Sequence, residues 1–318
     1  RDERELAASA AASDAERALM RSAEAPIVLC ARKPGGPISD AVAPGSPWVG
    51  AMLPYTPLHA LLLEGAGAPL VCTSGNLSNE PICITTAEAL ERLRAIADGF
   101  LTHDREIVRP LDDSLARTSR RGAVVVMRRA RGYVPRAVGK VEARATVLAV
   151  GAHLKSTLTL AHGGALLPSQ HLGDLDSPRA RELLMRTADD LCSFVGARPS
   201  IVACDLHPDY ASSILATKLA ERWRARVVRV QHHHAHVASC MAEHGLSRDG
   251  EVLGLAWDGT GLGTDGTIWG GEALLVRRDG FTRFAHLRAF PLPGGDRAAR
   301  EPRRSALGAL FALAPEHV

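Results

Sequence analysis

The second half of the chain alternates strand-like and helix-like segments, and this alternation constrains the fold more than any other feature. From residue 146, three short apolar segments separated by glycine turns lead into an amphipathic segment at 177–196. Strand-like runs at 200–206 and 226–230 then enclose a helical segment at 209–223. Hairpin strands that lead into alternating strands and helices predict an α/β layer with a mostly parallel core.

The first half of the chain predicts a separate α/β region. We predict helices at 4–22, 57–66 and 86–97, and strands at 26–30, 69–76, 99–107 and 123–135. Residues 136–145 are the best linker, and a length of 318 residues suits two domains. We therefore predict one domain at 1–140 and a second at 145–318.

Composition excludes several classes of protein. Apolar residues make up 46% and charged residues 23%, which suits a sizeable core and argues against disorder. A net charge of +3 is too small to indicate nucleic-acid binding by itself. There is no long apolar stretch, no signal peptide and no C-x-x-C pair among the six cysteines. We expect a cytoplasmic protein with no membrane partner and no nucleic-acid partner.

Four histidines stand in the five positions of "HHHAH", directly behind a β-branched run. In a helix that begins near residue 232, His232 and His236 share one face, so they could hold one metal ion. Because this helix follows a strand, its N-terminus lies at the carboxyl edge of the sheet, where ligands of α/β proteins bind. The alternative is an ordinary helix whose histidines are surface or core residues.

A carboxylate that could complete this set occurs in "LAWDGTGLGTDG". Asp258 ends a strand predicted at 251–258, and two imidazoles with one carboxylate suit iron, zinc or manganese. Gly259, Gly261 and Gly263 would let backbone N–H groups approach an anion. The alternative is a glycine-rich hairpin that Asp258 caps.

The segment "VGAHLKSTLTL" repeats this theme. Gly151 forms a turn between two strands and Lys155 lies just beyond it. A backbone nest beside one cation is how an actin-like site holds one end of a phosphate chain. We predict Lys155 and Asp258 as catalytic residues and Gly151 as nucleotide-binding, with an exposed strand lysine as the alternative.

Polar residues in the first half could bind a polyphosphate such as ATP. Ser74 and Asn76 follow a predicted strand, and Ser114, Arg128 and Arg131 lie in arginine-rich runs. The guanidinium fork binds phosphate oxygens in pairs, although such runs also occur on solvated edge strands or against RNA. The sequence assigns no role to three further residues, Arg105, Arg109 and Asp112.

Several motifs carry a family resemblance. "TSGNLSNEP", "DDS" and "RRARGYVP" resemble the second part of a YrdC-like domain. "VGAHLKSTLTLA", "SQHLGDLD", "CDLHPDY", "QHHHAHVAS" and "WDGTGLGTDGTIWGGE" resemble the first part of a Kae1-like domain. In this order the pair resembles the HypF-type carbamoyltransferases of nickel–iron hydrogenase maturation. The fold implied is a YrdC-like α/β domain followed by an actin-like (ASKHA, RNase H-like) Kae1-type domain.

The resemblance also implies a two-step reaction. Carbamoyl phosphate and ATP, with Mg²⁺, would give carbamoyl-adenylate, and the carbamoyl group would pass to the C-terminal cysteine of HypE for synthesis of the cyanide ligand. His232, His236 and Asp258 would be metal ligands, and Lys155 would lie on the nucleotide hairpin. Ser74, Asn76 and the arginines of "RRARG" would belong to the adenylate-forming site.

Departures from the family pattern and rival functions qualify this interpretation. Asn79 stands where the pattern has glycine, and modules expected on both sides of this sequence lead us to expect an incomplete catalyst. The domain order argues against a small-molecule O-carbamoyltransferase. "SQHLGDLD" and "QHHHAH" favour the hydrogenase branch over threonylcarbamoyl-adenylate enzymes of tRNA modification. Phosphate-type loops argue against a non-haem iron oxygenase, and a non-enzymatic binding module stays open.

Overall fold

A five-stranded sheet organises the first part of the computed structural model, which describes residues 1–142, 144–246, 250–295 and 297–317. Its strands are β1 (Ala10–Ala11), β2 (Ile27–Arg32), β3 (Trp48–Ala51), β4 (Leu115–Thr118) and β5 (Val124–Arg128). The helices are α1 (Glu3–Ser9), α2 (Asp14–Met20), α3 (Pro57–Ala66) and α4 (Thr86–Leu93), with a 3-10 turn at Asp40–Val42. The central strand β2 pairs with β4 in parallel and with β1 and β3 antiparallel.

Several predictions for this part need correction. Helix α3 occupies the predicted residues, but 4–22 forms two helices because a capping box at Ser13 starts a second one. The strands predicted at 69–76 and 99–107 are wrong, and both segments lack regular structure. Strand β5 ends at Arg128 because the chain then turns towards Ser114, whose hydroxyl accepts from the Ala130 amide.

A six-stranded sheet follows, in the order β11–β10–β7–β8–β9–β6. Its strands are β6 (Gly139–Lys140), β7 (Val147–Ala149), β8 (Thr159–His162), β9 (Ala165–Pro168), β10 (Ile201–Asp205) and β11 (Arg226–Val230). Strands β7, β10 and β11 are parallel, and β7, β8 and β9 pair antiparallel. The predicted α/β layer is therefore confirmed, while β6 places part of the predicted linker in this sheet.

Helices α5 (Pro178–Val195) and α6 (Ala211–Trp223) cover the sheet. Ser177 caps α5 and Pro178 occupies its first turn, as the sequence predicts. Leu184 of α5, Leu219 of α6 and Val202 of β10 are buried in one apolar cluster. This core packs against β7, β10 and β11, whose carboxyl ends lie along one edge of the sheet.

The last part is a three-stranded antiparallel sheet of β12 (Val252–Leu262), β13 (Ile268–Arg277) and β14 (Gly280–His286). Helix α7 (His232–Glu243) packs on this sheet through Val237 and Met241, and α8 (Arg297–Arg300), α9 (Pro302–Leu313) and a 3-10 turn (Pro315–His317) follow. Strand β12 continues to Leu262, so the loop predicted to open at Asp258 is part of a strand. No helix within the described ranges has the length and apolar character needed to span a bilayer.

Candidate metal centre

The carboxyl edge of the parallel strands carries the first turn of α7. Gln231 directly follows β11, and its side chain caps α7 by accepting a hydrogen bond from the His234 amide at 2.9 Å. The neighbouring strand β10 ends with Asp205 at the same edge. The predicted strand–helix junction is therefore present, and it directs His232 towards polar groups from other elements.

His232, His236 and Asp258, which we call the triad, meet at this edge. The Nε2 atoms of the two histidines are 3.2 Å apart, and they lie 2.8 and 3.3 Å from Asp258 Oδ2. One ligand atom from each residue falls within 4.8 Å of the other two. This donor set fits a divalent iron, zinc or manganese ion, and the assignment as metal ligands stays a prediction.

The triad is open on one side. The exposed fraction of the side chain rises from 16% for His232 to 34% for Asp258 and 56% for His236. The hydrogen bond to Asp205 raises the pKa of His232 against the opposing effect of burial. Burial acts to raise the pKa of Asp258, but the Gly259 amide and His232 hold it below its ordinary value. Asp258 is therefore an ionised carboxylate facing two imidazoles.

An irregularity in β12 presents Asp258 to α7. The pairing of β12 with β13 shifts between Trp257 and Gly261, and Asp258 lies inside this bulge. A Cβ atom on Gly261 would lie 2.7 Å from His233 Cε1 and 2.8 Å from His232 Cβ. The bulge thus lets the carboxylate and a glycine, three residues apart, face the same helix.

The predicted phosphate glycines differ in their surroundings. Gly261 gives room to α7, and a Cβ on Gly263 would lie 2.0 Å from Trp269 Nε1. A Cβ atom on Gly259 would have no other atom within 4 Å. Packing therefore explains Gly261 and Gly263, while an anion contact at Gly259 stays a prediction.

Two polar residues of this edge escaped the sequence analysis. Asp205, in "CDLHPDY", is buried, and its Oδ2 lies 2.7 Å from His232 Nδ1. The Gln231 amide donates to the Leu262 carbonyl at 3.2 Å and so joins α7 to β12. Their positions could have identified them, because each is a polar residue at the carboxyl end of a parallel strand.

The predicted nucleotide hairpin lies at the same edge. Gly151 and Lys155 both have positive φ, +68° and +49°, and the Lys155 amide donates to Asp174 Oδ1 at 2.7 Å. The Gly151 carbonyl accepts from the Asp205 amide at 3.3 Å, which ties this hairpin to β10. The Lys155 side chain is exposed, and no hydrogen bond joins it to the triad in the described part of the chain.

In the first part of the molecule, Ser114 and Arg131 are engaged in internal contacts. Ser114 is fully buried, donates to the Arg131 carbonyl and accepts from the Ala130 amide, both at 2.8 Å. The Arg131 guanidinium lies 2.6 Å from Asp113 Oδ1 and 3.6 Å from the centre of the Tyr55 ring. We call Ser114, Arg131, Ala130, Asp113 and Tyr55 the Ser114–Arg131 cluster.

The other residues predicted to bind ATP have described contacts outside the Ser114–Arg131 cluster. Ser74 is exposed, and the Asn76 amide donates to the carbonyls of Leu77 and Glu80 at 2.9 and 3.0 Å. Arg128 lies 3.9 Å from Asp112, whose pKa burial raises. A nucleotide-binding role for these residues stays a prediction. Arg109, which the sequence left without a role, donates from Nε to Asp190 Oδ2 of α5 at 2.7 Å. This contact joins the first part of the chain to the part built on the six-stranded sheet.

Comparison with known proteins gives matches over both parts. The model for the HypF Kae1-like domain matches residues 142–243, and the model for the second subdomain of the carbamoyltransferase Kae1-like domain matches 254–317. The Sua5/YciO/YrdC model, described as telomere recombination, matches 2–130. The predicted order, a YrdC-like domain followed by a Kae1-type domain, is confirmed.

Individual relatives agree with these matches. Carbamoyltransferase HypF2 of Cupriavidus necator is 47% identical over 94% of this chain and 39% of its own length. Carbamoyltransferase HypF of Synechocystis is 45% identical over 92% of this chain and 38% of its own. The crystal structure of full-length HypF in the phosphate- and nucleotide-bound form is 42% identical with a TM-score of 0.90, over 98% of this chain and 48% of that one. The chain thus spans about two fifths of the length of these curated relatives.

Proposed function

Because the chain belongs to the HypF carbamoyltransferase family, we propose that it carries the carbamoyl-transfer chemistry of nickel–iron hydrogenase maturation. In the proposal, carbamate released from carbamoyl phosphate, with loss of phosphate, joins ATP as carbamoyl-adenylate with release of pyrophosphate. The C-terminal cysteine thiolate of HypE then takes the carbamoyl group and AMP leaves. The carbamoyl thiol would then be the source of the cyanide ligand. The observation that carries the proposal is the convergence of His232, His236 and Asp258 at one sheet edge.

The transfer half would use this edge. His232, His236 and Asp258 would hold a divalent metal, which when bound supplies stabilisation of negative charge on a phosphate or carbonyl oxygen. An acceptor thiolate would approach from the exposed side of the triad, at His236. Lys155, on the hairpin tied to Asp205, would attract the phosphate of the adenylate by its charge. An acyl-phosphate anhydride needs no protein nucleophile when the acceptor is itself a thiolate.

The adenylate-forming half would lie in the YrdC-like part. Support comes from the family match over residues 2–130 and from the related crystal structure of HypF, which is a nucleotide-bound form. Ser74, Asn76, Ser114, Arg128 and Arg131 are the proposed ATP-binding residues, with Mg²⁺ accompanying ATP. Arginine forks bind phosphate oxygens in pairs, although the Arg131 fork already contacts Asp113.

The test is ATP–pyrophosphate isotope exchange with and without carbamoyl phosphate. We would assay this chain beside full-length HypF2 of Cupriavidus necator, its relative at 47% identity, as a reference. Exchange that depends on carbamoyl phosphate supports carbamoyl-adenylate formation. Exchange driven by threonine and bicarbonate would move the chain to the tRNA-modification class. If the reference exchanges while this chain binds neither ATP nor metal, the proposal is wrong for this chain.

A further inference from the structure

Asp205 is held at every polar atom it has. Its backbone amide donates to the Gly151 carbonyl at 3.3 Å, and its carbonyl accepts from Ser213 Oγ at 3.2 Å. Oδ1 accepts from the His207 amide at 2.8 Å, and Oδ2 lies 2.7 Å from His232 Nδ1. Only 4% of the side chain is exposed. A carboxylate held in this way cannot turn, so the direction of Oδ2 is fixed.

We propose that Asp205 is a positioning residue that holds the His232 ring through Nδ1 and thereby directs Nε2 to the centre of the triad. An ionised carboxylate can only accept hydrogen bonds, so the Nδ1 atom facing it must carry a hydrogen. Nε2, the ring atom nearest Asp258 and His236, is then the atom left to bind a metal. A metal ion bound there would replace the hydrogen that Nε2 directs to Asp258 Oδ2 at 2.8 Å in the metal-free protein. An outer carboxylate of this kind orients a metal-binding histidine and increases its basicity.

The neighbours of Asp205 make a sharp prediction for its isosteric amide. In Asp205→Asn the single side-chain oxygen must face the His207 amide, because that backbone group can only donate. The –NH₂ group then faces His232 Nδ1, which must accept. His232 is thereby held with its hydrogen on Nε2, where Asp258 accepts it, and this tautomer cannot bind a metal through Nε2. Asparagine is closer in shape to aspartate than alanine is, yet D205N should weaken metal binding more than D205A does.

The experiment compares D205N and D205A with D209N, which changes an exposed aspartate four residues further along the same segment. Zinc and cobalt affinities are measured by chelator competition, and the histidine tautomers of the metal-free protein by ¹⁵N NMR. We expect D209N to match the unaltered chain, D205A to bind about tenfold more weakly and D205N about 100-fold more weakly. The His232 signal should report a hydrogen on Nδ1 in the unaltered chain, and no hydrogen on Nδ1 with one on Nε2 in D205N. Melting temperatures show whether each variant is folded.

The inference rests on the metal site of the proposed function, and the outcomes separate the two. If the unaltered chain binds neither zinc nor cobalt, the metal site of the proposed function is wrong. If the unaltered chain binds and D205N binds equally well, the positioning role is wrong while the metal site stands. The role is also wrong if D205A loses more affinity than D205N, because a purely space-filling residue gives that order. The NMR tautomer remains readable in every folded variant, whichever metal result is obtained.

Discussion

The triad and the Ser114–Arg131 cluster each bring polar side chains together, with one aspartate in each, but they use these side chains in opposite ways. In the triad, two imidazole nitrogens and a carboxylate oxygen converge on one point, and His236 remains more than half exposed. In the Ser114–Arg131 cluster, the hydroxyl and the guanidinium are directed to backbone and side-chain partners of the same fold. The first arrangement has lone-pair-bearing atoms available to a ligand, whereas in the second the described contacts of the hydroxyl and the guanidinium are with the protein itself.

This difference shows what distinguishes a candidate binding site from a structural network of polar groups. A buried polar group needs a partner, and in the Ser114–Arg131 cluster the protein itself supplies it. In the triad three lone-pair-bearing ligand atoms face one another, an arrangement that a cation would stabilise. The number of polar residues in a segment is therefore a weaker indication of function than the direction of their free atoms.

The largest effect should come from removing a triad member. His232→Ala deletes the least exposed ligand, and we expect metal affinity to fall by more than the roughly 100-fold that loss of an outer partner causes. His234→Ala is the matched control, because His234 is in the same helical turn but its ring lies beside Phe281. Zinc affinity by chelator competition checks both variants. Equal losses in the two would show that α7 as a whole, and not the triad, binds the ion.

Ser114→Ala tests the structural half of the comparison. It leaves the Arg131 carbonyl and the Ala130 amide without their buried partner, which should cost about 1–3 kcal/mol of unfolding free energy. Urea unfolding measures this loss, with Ser74→Ala as the exposed control, for which we expect less than about 0.5 kcal/mol. If S114A unfolds like the unaltered chain, the structural role of the cluster is wrong, and weaker ATP binding by S114A would then leave Ser114 with the proposed nucleotide role alone.

Alanine substitutions at two glycines of β12 test whether packing explains the glycine-rich sequence beside the triad. Gly261→Ala would place a methyl group 2.7 Å from His233 Cε1, and such overpacking costs about 1–3 kcal/mol. Gly259→Ala meets nothing within 4 Å and should change the unfolding free energy by less than about 0.5 kcal/mol. Thermal unfolding followed by circular dichroism distinguishes them. A strong loss in G259A would contradict the bulge geometry.

The smallest effect concerns cysteine reactivity in the two parts. Burial raises the pKa of Cys30, in β2, to about 12, so its thiol stays protonated from pH 7 to 9. Cys240 on α7 is exposed. Ellman's reagent should therefore react with Cys240 in the folded chain, and with Cys30 only after unfolding. Mass spectrometry of the labelled peptides identifies the sites, and early labelling of Cys30 would show that the first sheet opens readily.

The sequence predicted the second part of the molecule better than the first. Helix geometry alone places His232 and His236 on one face, and Asp258 ends a recognisable apolar run in the sequence, so their meeting could be predicted. The strands predicted at 69–76 and 99–107 failed because apolar composition does not specify a pairing partner.

The roles of Asp205 and Ser114 could not be read from their neighbours in the sequence. Asp205 meets His232 across 27 residues of chain, and Ser114 meets Arg131 across 17. Such contacts depend on tertiary packing, which no local pattern encodes. The position of Asp205 at the carboxyl end of a strand indicated that its side chain lies near the sheet edge. It did not indicate that the carboxylate contacts His232 Nδ1.

The bulge in β12 makes the metal centre depend on chain length as well as on residue type. Between Trp257 and Gly261, β12 advances four residues while β13 advances two, from Gly271 to Trp269. Deleting residues 259 and 260 would restore a continuous register and place Gly261 directly after Asp258. Adjacent residues of a regular strand face opposite sides, so the carboxylate and the glycine could no longer both face α7. The distance in sequence between these two residues is thus as much a part of the site as the four-residue interval between its histidines.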